Sequence, residues 1–69
     1  MPVDICKRVG RNIRVLRTQK EWTQKVLGDF AEVSRQHIAD IEAGKKEMRL
    51  RTLERIAREL SVEIADLLQ

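Results

Sequence analysis

The chain has 69 residues, a net charge of +3 and a hydrophobic fraction of 42%, which together allow one domain with a small core. Its single cysteine, Cys6, excludes an internal disulfide, and one cysteine with one histidine gives too few ligands for a structural zinc site. We therefore expect one domain over residues 1–69, without a metal or cofactor. Because the sequence contains neither an apolar run of about 20 residues nor the apolar core of a signal peptide, we expect a soluble, cytoplasmic protein with no membrane partner.

The composition favours an all-helical fold. Glycine and proline are scarce, and residues that favour helices are abundant. Tyrosine is absent, so Trp22 and Phe30 are the only aromatic residues. This argues against a protein that stacks single-stranded bases on several exposed rings.

The positive charge is concentrated at the start of the sequence. Residues 1–20 carry six basic side chains against Asp4 alone, whereas residues 54–69 carry two basic and four acidic ones. Such asymmetry fits a polyanionic partner or, equally, a solvated helix face.

Apolar spacing and capping residues predict five short helices. The first is expected over about 5–20, with apolar residues on one side and basic residues on the other. Thr23 can cap a second helix that ends near Ala31. Ser34 can cap a third over about 35–43, and Gly44 is expected to end it in the left-handed conformation.

A polar loop over residues 45–49 should precede the last two helices. The fourth helix begins near Leu50, and Ser61 is a candidate cap for a short fifth helix. The fifth helix contributes three apolar residues, Ile64, Leu67 and Leu68. These side chains have more apolar surface than a short terminal helix can bury alone, so we predict that they form a homodimer interface. The alternative is that they close the core of one chain.

Residues 24–43 have the pattern of a helix-turn-helix, in which two short helices cross and the second enters the DNA major groove. Gly28 is small where the two helices would come closest. Within the third helix, Ile38 and Ile41 point to one side, opposite a polar face thinned by two alanines.

With this motif, the whole chain resembles the Cro and phage-repressor-like, or XRE-type, DNA-binding domains. The matching residues are Ile13, Arg14, Leu16, Arg17, Thr23, Gln24, Leu27, Val33, Ser34, Arg35, Ile38, Ile41, Glu42, Gly44, Lys45, Thr52, Leu53, Ile56, Ala57, Leu60 and Val62. The resemblance implies a compact five-helix fold of the lambda-repressor type. The sequence departs from the family pattern at two places. Glu32 occupies a turn position usually held by glycine, and residues 47–49 lack the usual cap of the fourth helix.

The resemblance also implies roles for individual residues. The base-reading positions are Arg35, Gln36 and Asp40. Contacts with the DNA backbone or flanking bases are implied for Thr23, Gln24, Ser34, His37 and Lys45. Gln24 is also implied to brace the recognition helix. Arg17 and Glu42 match a structural ion pair that joins the first helix to the third. Independently of the family, arginine can bind guanine and glutamine can bind adenine through paired hydrogen bonds.

The sequence therefore predicts a sequence-specific regulator of transcription that binds double-stranded DNA, similar to small phage regulators and restriction–modification controller proteins. A two-fold dimer on a two-fold symmetric operator is the expected assembly. An antitoxin that binds a partner protein and regulates its own gene is the alternative. No catalytic set, glycine-rich phosphate loop or carboxylate cluster stands out, so an enzyme is not expected.

Overall fold

A computed structural model describes residues 4–45 and 47–69. These residues form five α-helices: α1 (Ile5–Gln19), α2 (Gln24–Ala31), α3 (Arg35–Glu42), α4 (Leu50–Glu59) and α5 (Ile64–Leu67). The helix order and all-α class agree with the prediction from sequence. None of the helices in these residues is long and apolar enough to cross a membrane.

The helices enclose one apolar core in which α3 is central. Helix α3 packs against both α1 and α2, while α4 packs against α2 and α5, and α5 also returns to α1. Six large side chains are almost completely buried: Ile13, Leu27, Ile38, Ile41, Ile56 and Leu67. Burying a side chain of this size contributes about 1.5–3 kcal/mol, so the two isoleucines of α3 help to fix the orientation of this helix.

Two predictions about the C-terminal helix are wrong. Ser61 does not cap α5, because it adopts a left-handed conformation with φ of 62°; the helix begins after Glu63, whose backbone N–H donates to Asp66 Oδ2 at 2.9 Å. Leu67 is fully buried within the chain. The prediction that Leu67 lies in a dimer interface is therefore wrong, because the fold uses this side chain to close its own core.

The end of α5 is held to α1 by an amide that the sequence analysis did not single out. Asn12 Nδ2 donates to the backbone carbonyls of Leu67 at 2.8 Å and of Gln69 at 2.9 Å. A carbonyl at the end of a helix has no partner within the helix, and Asn12 supplies one from the neighbouring helix. Its position beside the buried Ile13 and Val9 was the available signal in the sequence.

Candidate nucleic-acid interface

The turn between α2 and α3 has the geometry of a helix-turn-helix. Glu32 lies in the left-handed region with φ of 61° and ψ of 40°, and the backbone N–H of Val33 donates to Gly28 O at 2.9 Å. A Cβ atom on Gly28 would lie 2.7 Å from Val33 O, so this position has no room for a side chain. A residue with a side chain therefore occupies the left-handed turn position at Glu32, while the glycine is required one turn earlier.

Helix α3 has one buried and one accessible face. Ile38 and Ile41 are completely buried, whereas Arg35 and Gln36 at its start are exposed. Ala39 and Asp40 are partly exposed. The helix thus presents its first turn and a thin polar strip to solvent, which is the arrangement that a helix needs to enter the major groove.

Two of the three predicted base-reading side chains are joined by a hydrogen bond. Gln36 Nε2 donates a hydrogen bond to Asp40 Oδ1 at 3.1 Å, one helical turn further on. Arg35 lies next to Gln36 at the exposed start of α3. The structure therefore places all three on the accessible part of α3 and couples two of them.

The hydroxyl groups at the starts of α2 and α3 act as helix caps. Thr23 Oγ1 accepts from the backbone N–H of Val26 at 3.1 Å, and Ser34 Oγ accepts from that of His37 at 3.0 Å. An accepting hydroxyl keeps its own O–H for a further partner, so capping and donation to a phosphate are compatible. The side chain of His37 is partly exposed, and Lys45, just beyond α3, is exposed.

A network centred on Glu42 joins α1, α2 and α3. Glu42 accepts from Arg17 Nε at 2.7 Å and Nη2 at 3.0 Å, and Gln24 Nε2 donates to the same carboxylate at 3.1 Å. Arg17 Nη1 also donates to Trp22 O at 2.6 Å. The predicted Arg17–Glu42 pair is present, and its side chains are only 11% and 4% exposed.

Sequence reasoning did not assign Gln24 to this network. The resemblance implied that Gln24 braces the recognition helix, and the structure shows the brace at the end of α3, through Glu42. Gln24 Nε2 has two N–H groups, of which Glu42 occupies one. The other leaves Gln24 able to donate to a further acceptor without breaking the internal hydrogen bond.

The surroundings of Cys6 disfavour its thiolate. Burial, and then the negative charge of Asp4, raise the pKa of the Cys6 thiol above its usual value, which disfavours the reactive thiolate. Within residues 4–45 and 47–69, no group of three or more His, Cys, Asp or Glu side chains is arranged to hold a metal ion.

Comparison with known proteins assigns this arrangement to a family. A family model described as helix-turn-helix matches residues 13–67. The chain belongs to the helix-turn-helix family. It is 35% identical over 57 residues to an immunity repressor protein of Bacillus phage phi105, and 30% identical over 59 residues to a competence pilus inhibition repressor of Acinetobacter baylyi. These matches cover 83% and 86% of this chain, but only 40% and 54% of the two repressors.

A solved structure supports the same assignment. The restriction–modification controller protein C.AhdI of Aeromonas hydrophila superposes with a TM-score of 0.86 at 26% identity, covering 90% of this chain and 94% of that one. The predicted resemblance to XRE-type domains and the all-helical fold are thereby confirmed. The two relatives are described as repressors, and the matched structure is described as a controller protein.

Proposed function

We propose that this chain is a sequence-specific regulator of transcription that binds double-stranded DNA with α3 in the major groove. The observation that carries the proposal is the division of α3: Ile38 and Ile41 fix the helix in the core, while Arg35 and Gln36 stand exposed at its start. Membership of the helix-turn-helix family supports this use of the second helix of the motif. The similarity to two repressors favours the regulator over the antitoxin alternative.

Base recognition is assigned to the start of α3. An arginine can donate two hydrogen bonds to guanine O6 and N7, and a glutamine can pair with adenine N6 and N7. Arg35 and Gln36 are exposed and have the reach for such contacts. Asp40, the third candidate, lies one turn further on and is hydrogen-bonded to Gln36.

Phosphate contacts are assigned to residues at the starts of α2 and α3 and just beyond the end of α3. The free N–H groups at the start of a helix, together with its dipole, favour a phosphate, and Thr23 and Gln24 stand at the start of α2. The hydroxyl of Ser34, the ring of His37 and the ammonium group of Lys45 supply the other donors. These contacts set the position of α3 on the duplex and carry no direct information on sequence.

The proposed assembly is a homodimer on a two-fold symmetric operator. Leu68 is 43% exposed and lines an apolar groove with Ile5, which is 48% exposed. Ile64 is partly buried against the core. The proposed interface therefore consists of Leu68 and the accessible part of Ile64, without Leu67. A symmetric dimer would present two copies of α3 to half-sites about one helical turn apart.

Selection of bound duplexes from a random pool tests the proposal as a whole. We expect one sequence to be enriched, with two similar half-sites in opposite orientation, and to bind at least about a thousandfold more tightly than unrelated DNA. Failure to enrich any sequence, with binding that depends only on salt, would show that the chain does not recognise sequence.

Lys45→Ala is expected to weaken binding without changing base preference. Removing one phosphate contact should lower affinity for operator and unrelated DNA by similar factors and reduce the slope of log affinity against log salt by about one. Arg14→Ala, which removes an exposed charge from α1, is the control and should change the slope less. Fluorescence anisotropy at several salt concentrations measures the affinity and its dependence on salt. An altered base preference in Lys45→Ala would show that Lys45 contacts a base.

Leu68→Glu is expected to shift the chain towards the monomer. A buried interface does not tolerate an unpaired carboxylate, whereas Leu68 is exposed in the single chain and its replacement should leave the fold intact. Sedimentation at micromolar concentration, with and without operator, measures the mass. A wild-type chain that stays monomeric on the operator would refute the dimer.

A further inference from the structure

We infer that Asp40 is a positioning residue that sets the orientation of the Gln36 amide and thereby its preference for adenine. The observation is the hydrogen bond from Gln36 Nε2 to Asp40 Oδ1 at 3.1 Å on the accessible face of α3. The inference rests on the proposed function, since it concerns which base the same helix recognises. It replaces the direct contact with a base that the resemblance implied for Asp40.

The chemistry of the pair fixes the amide in one orientation. An ionised carboxylate can only accept hydrogen bonds, whereas an amide has a donating nitrogen at one end and an accepting oxygen at the other. Turning the Gln36 amide over would bring its oxygen against the Asp40 carboxylate, so the nitrogen must face Asp40. The positions of the second N–H and of Oε1 are then fixed relative to Asp40, so the donor and the acceptor of the amide cannot exchange places.

This order matches one base. In the major groove, adenine presents an acceptor at N7 and a donor at N6, which pair with one N–H and the oxygen of a glutamine amide. Asp40 occupies only one of the two N–H groups of Gln36. The second N–H and Oε1 therefore remain available to bind adenine. Guanine, with two acceptors at N7 and O6, has no donor for Oε1 at this edge.

The pair also gives Asp40 a reason to be on this face. A carboxylate near DNA is repelled by phosphates, so an acidic residue at this position lowers the affinity for DNA. A gain in base discrimination would offset this cost. Holding Gln36 before DNA arrives reduces the side-chain entropy lost on binding. Asp40 therefore exchanges some overall affinity for discrimination between bases.

The test measures base discrimination, which is the ratio of the affinities for the selected operator and for the same operator with its adenine replaced. A uniform gain in affinity from removal of the Asp40 charge cancels in this ratio. Gln36→Ala should lower the ratio by about tenfold. Asp40→Ala should lower it by about threefold or more at the same base position, and should have no further effect when combined with Gln36→Ala.

Two further variants make the result specific. Asp40→Asn keeps the shape but adds a donor, so both orientations of the Gln36 amide become possible and discrimination should again fall. Asp29→Ala removes an acid of the same i to i+4 geometry on α2, where Asp29 pairs with Lys25 at 3.0 Å, and should leave discrimination unchanged. Melting temperatures of all variants show whether each is folded.

Contrary results separate the inference from the proposed function. If Asp40→Ala alters preference at a base that Gln36→Ala leaves unchanged, Asp40 contacts its own base and the inference is wrong. If Gln36→Ala relaxes discrimination but both Asp40 variants keep the wild-type ratio, the inference is also wrong, although α3 still recognises DNA. If neither Arg35→Ala nor Gln36→Ala changes any preference, the proposed function itself fails.

Discussion

Replacement of Glu42 by alanine is expected to lower the free energy of unfolding by about 3–5 kcal/mol. The loss is large because Glu42 accepts two hydrogen bonds from Arg17 and one from Gln24. Their removal leaves the Arg17 guanidinium, only 11% exposed, without its counter-charge. A chain of this size has about 3–5 kcal/mol of net stability in total, so much of the variant is expected to be unfolded at room temperature.

Urea and thermal unfolding followed by circular dichroism measure this change. Glu42→Gln retains an acceptor for Arg17 and should lose less stability than Glu42→Ala. Asp29→Ala breaks an exposed pair, with side chains 72% and 65% exposed, and should cost no more than about 0.5 kcal/mol. If Glu42→Ala had the melting temperature of the wild type and lost only DNA binding, Glu42 would be a DNA-contact residue and not a structural one.

Gly10→Ala is expected to cost about 2–3 kcal/mol, although alanine favours a helix over glycine by about 1 kcal/mol. A Cβ atom on Gly10 would overlap Ile41 O and lie 2.8 Å from Glu42 O. Both atoms belong to the backbone of α3, so the clash cannot be relieved by moving a side chain. Helices α1 and α3 would have to separate, which would also stretch the Arg17–Glu42 pair.

The effect of Gly10→Ala is measured by the same unfolding experiments. Arg14→Ala is the matched control, because it introduces alanine at an exposed position of the same helix and should change stability by no more than about 0.5 kcal/mol. A variant as stable as the wild type would mean that α1 and α3 can move apart at little cost.

Local rules predicted the helices well where the signal was itself local. Thr23 and Ser34 cap α2 and α3 as expected from their spacing, and Gly44 has φ of 70°. The two isoleucines of α3 are buried because a helix period places them together. The sequence also indicated that α4 lacks a side-chain cap, and Arg49 supplies none.

Contacts between distant residues could not be predicted in the same way. Whether Leu67 faces the core or a partner depends on how α5 returns to α1, which an apolar pattern of four residues does not determine. The close approach at Gly10 likewise depends on the crossing of α1 and α3. The Gln36–Asp40 bond was within reach, since its spacing of four residues is that of neighbours on a helix.

The central claim is that the start of α3 recognises bases, and binding selections on wild type, Arg35→Ala and Gln36→Ala test it most directly. Each alanine variant should bind the wild-type operator more weakly by about 1–3 kcal/mol and should lose preference at one or two base positions in each half-site. Both side chains are exposed and Gln36 loses only one exposed hydrogen bond, so neither change should cost more than about 0.5 kcal/mol of stability. If both variants select the same sequence as the wild type, α3 is not the recognition element and the assignment is wrong.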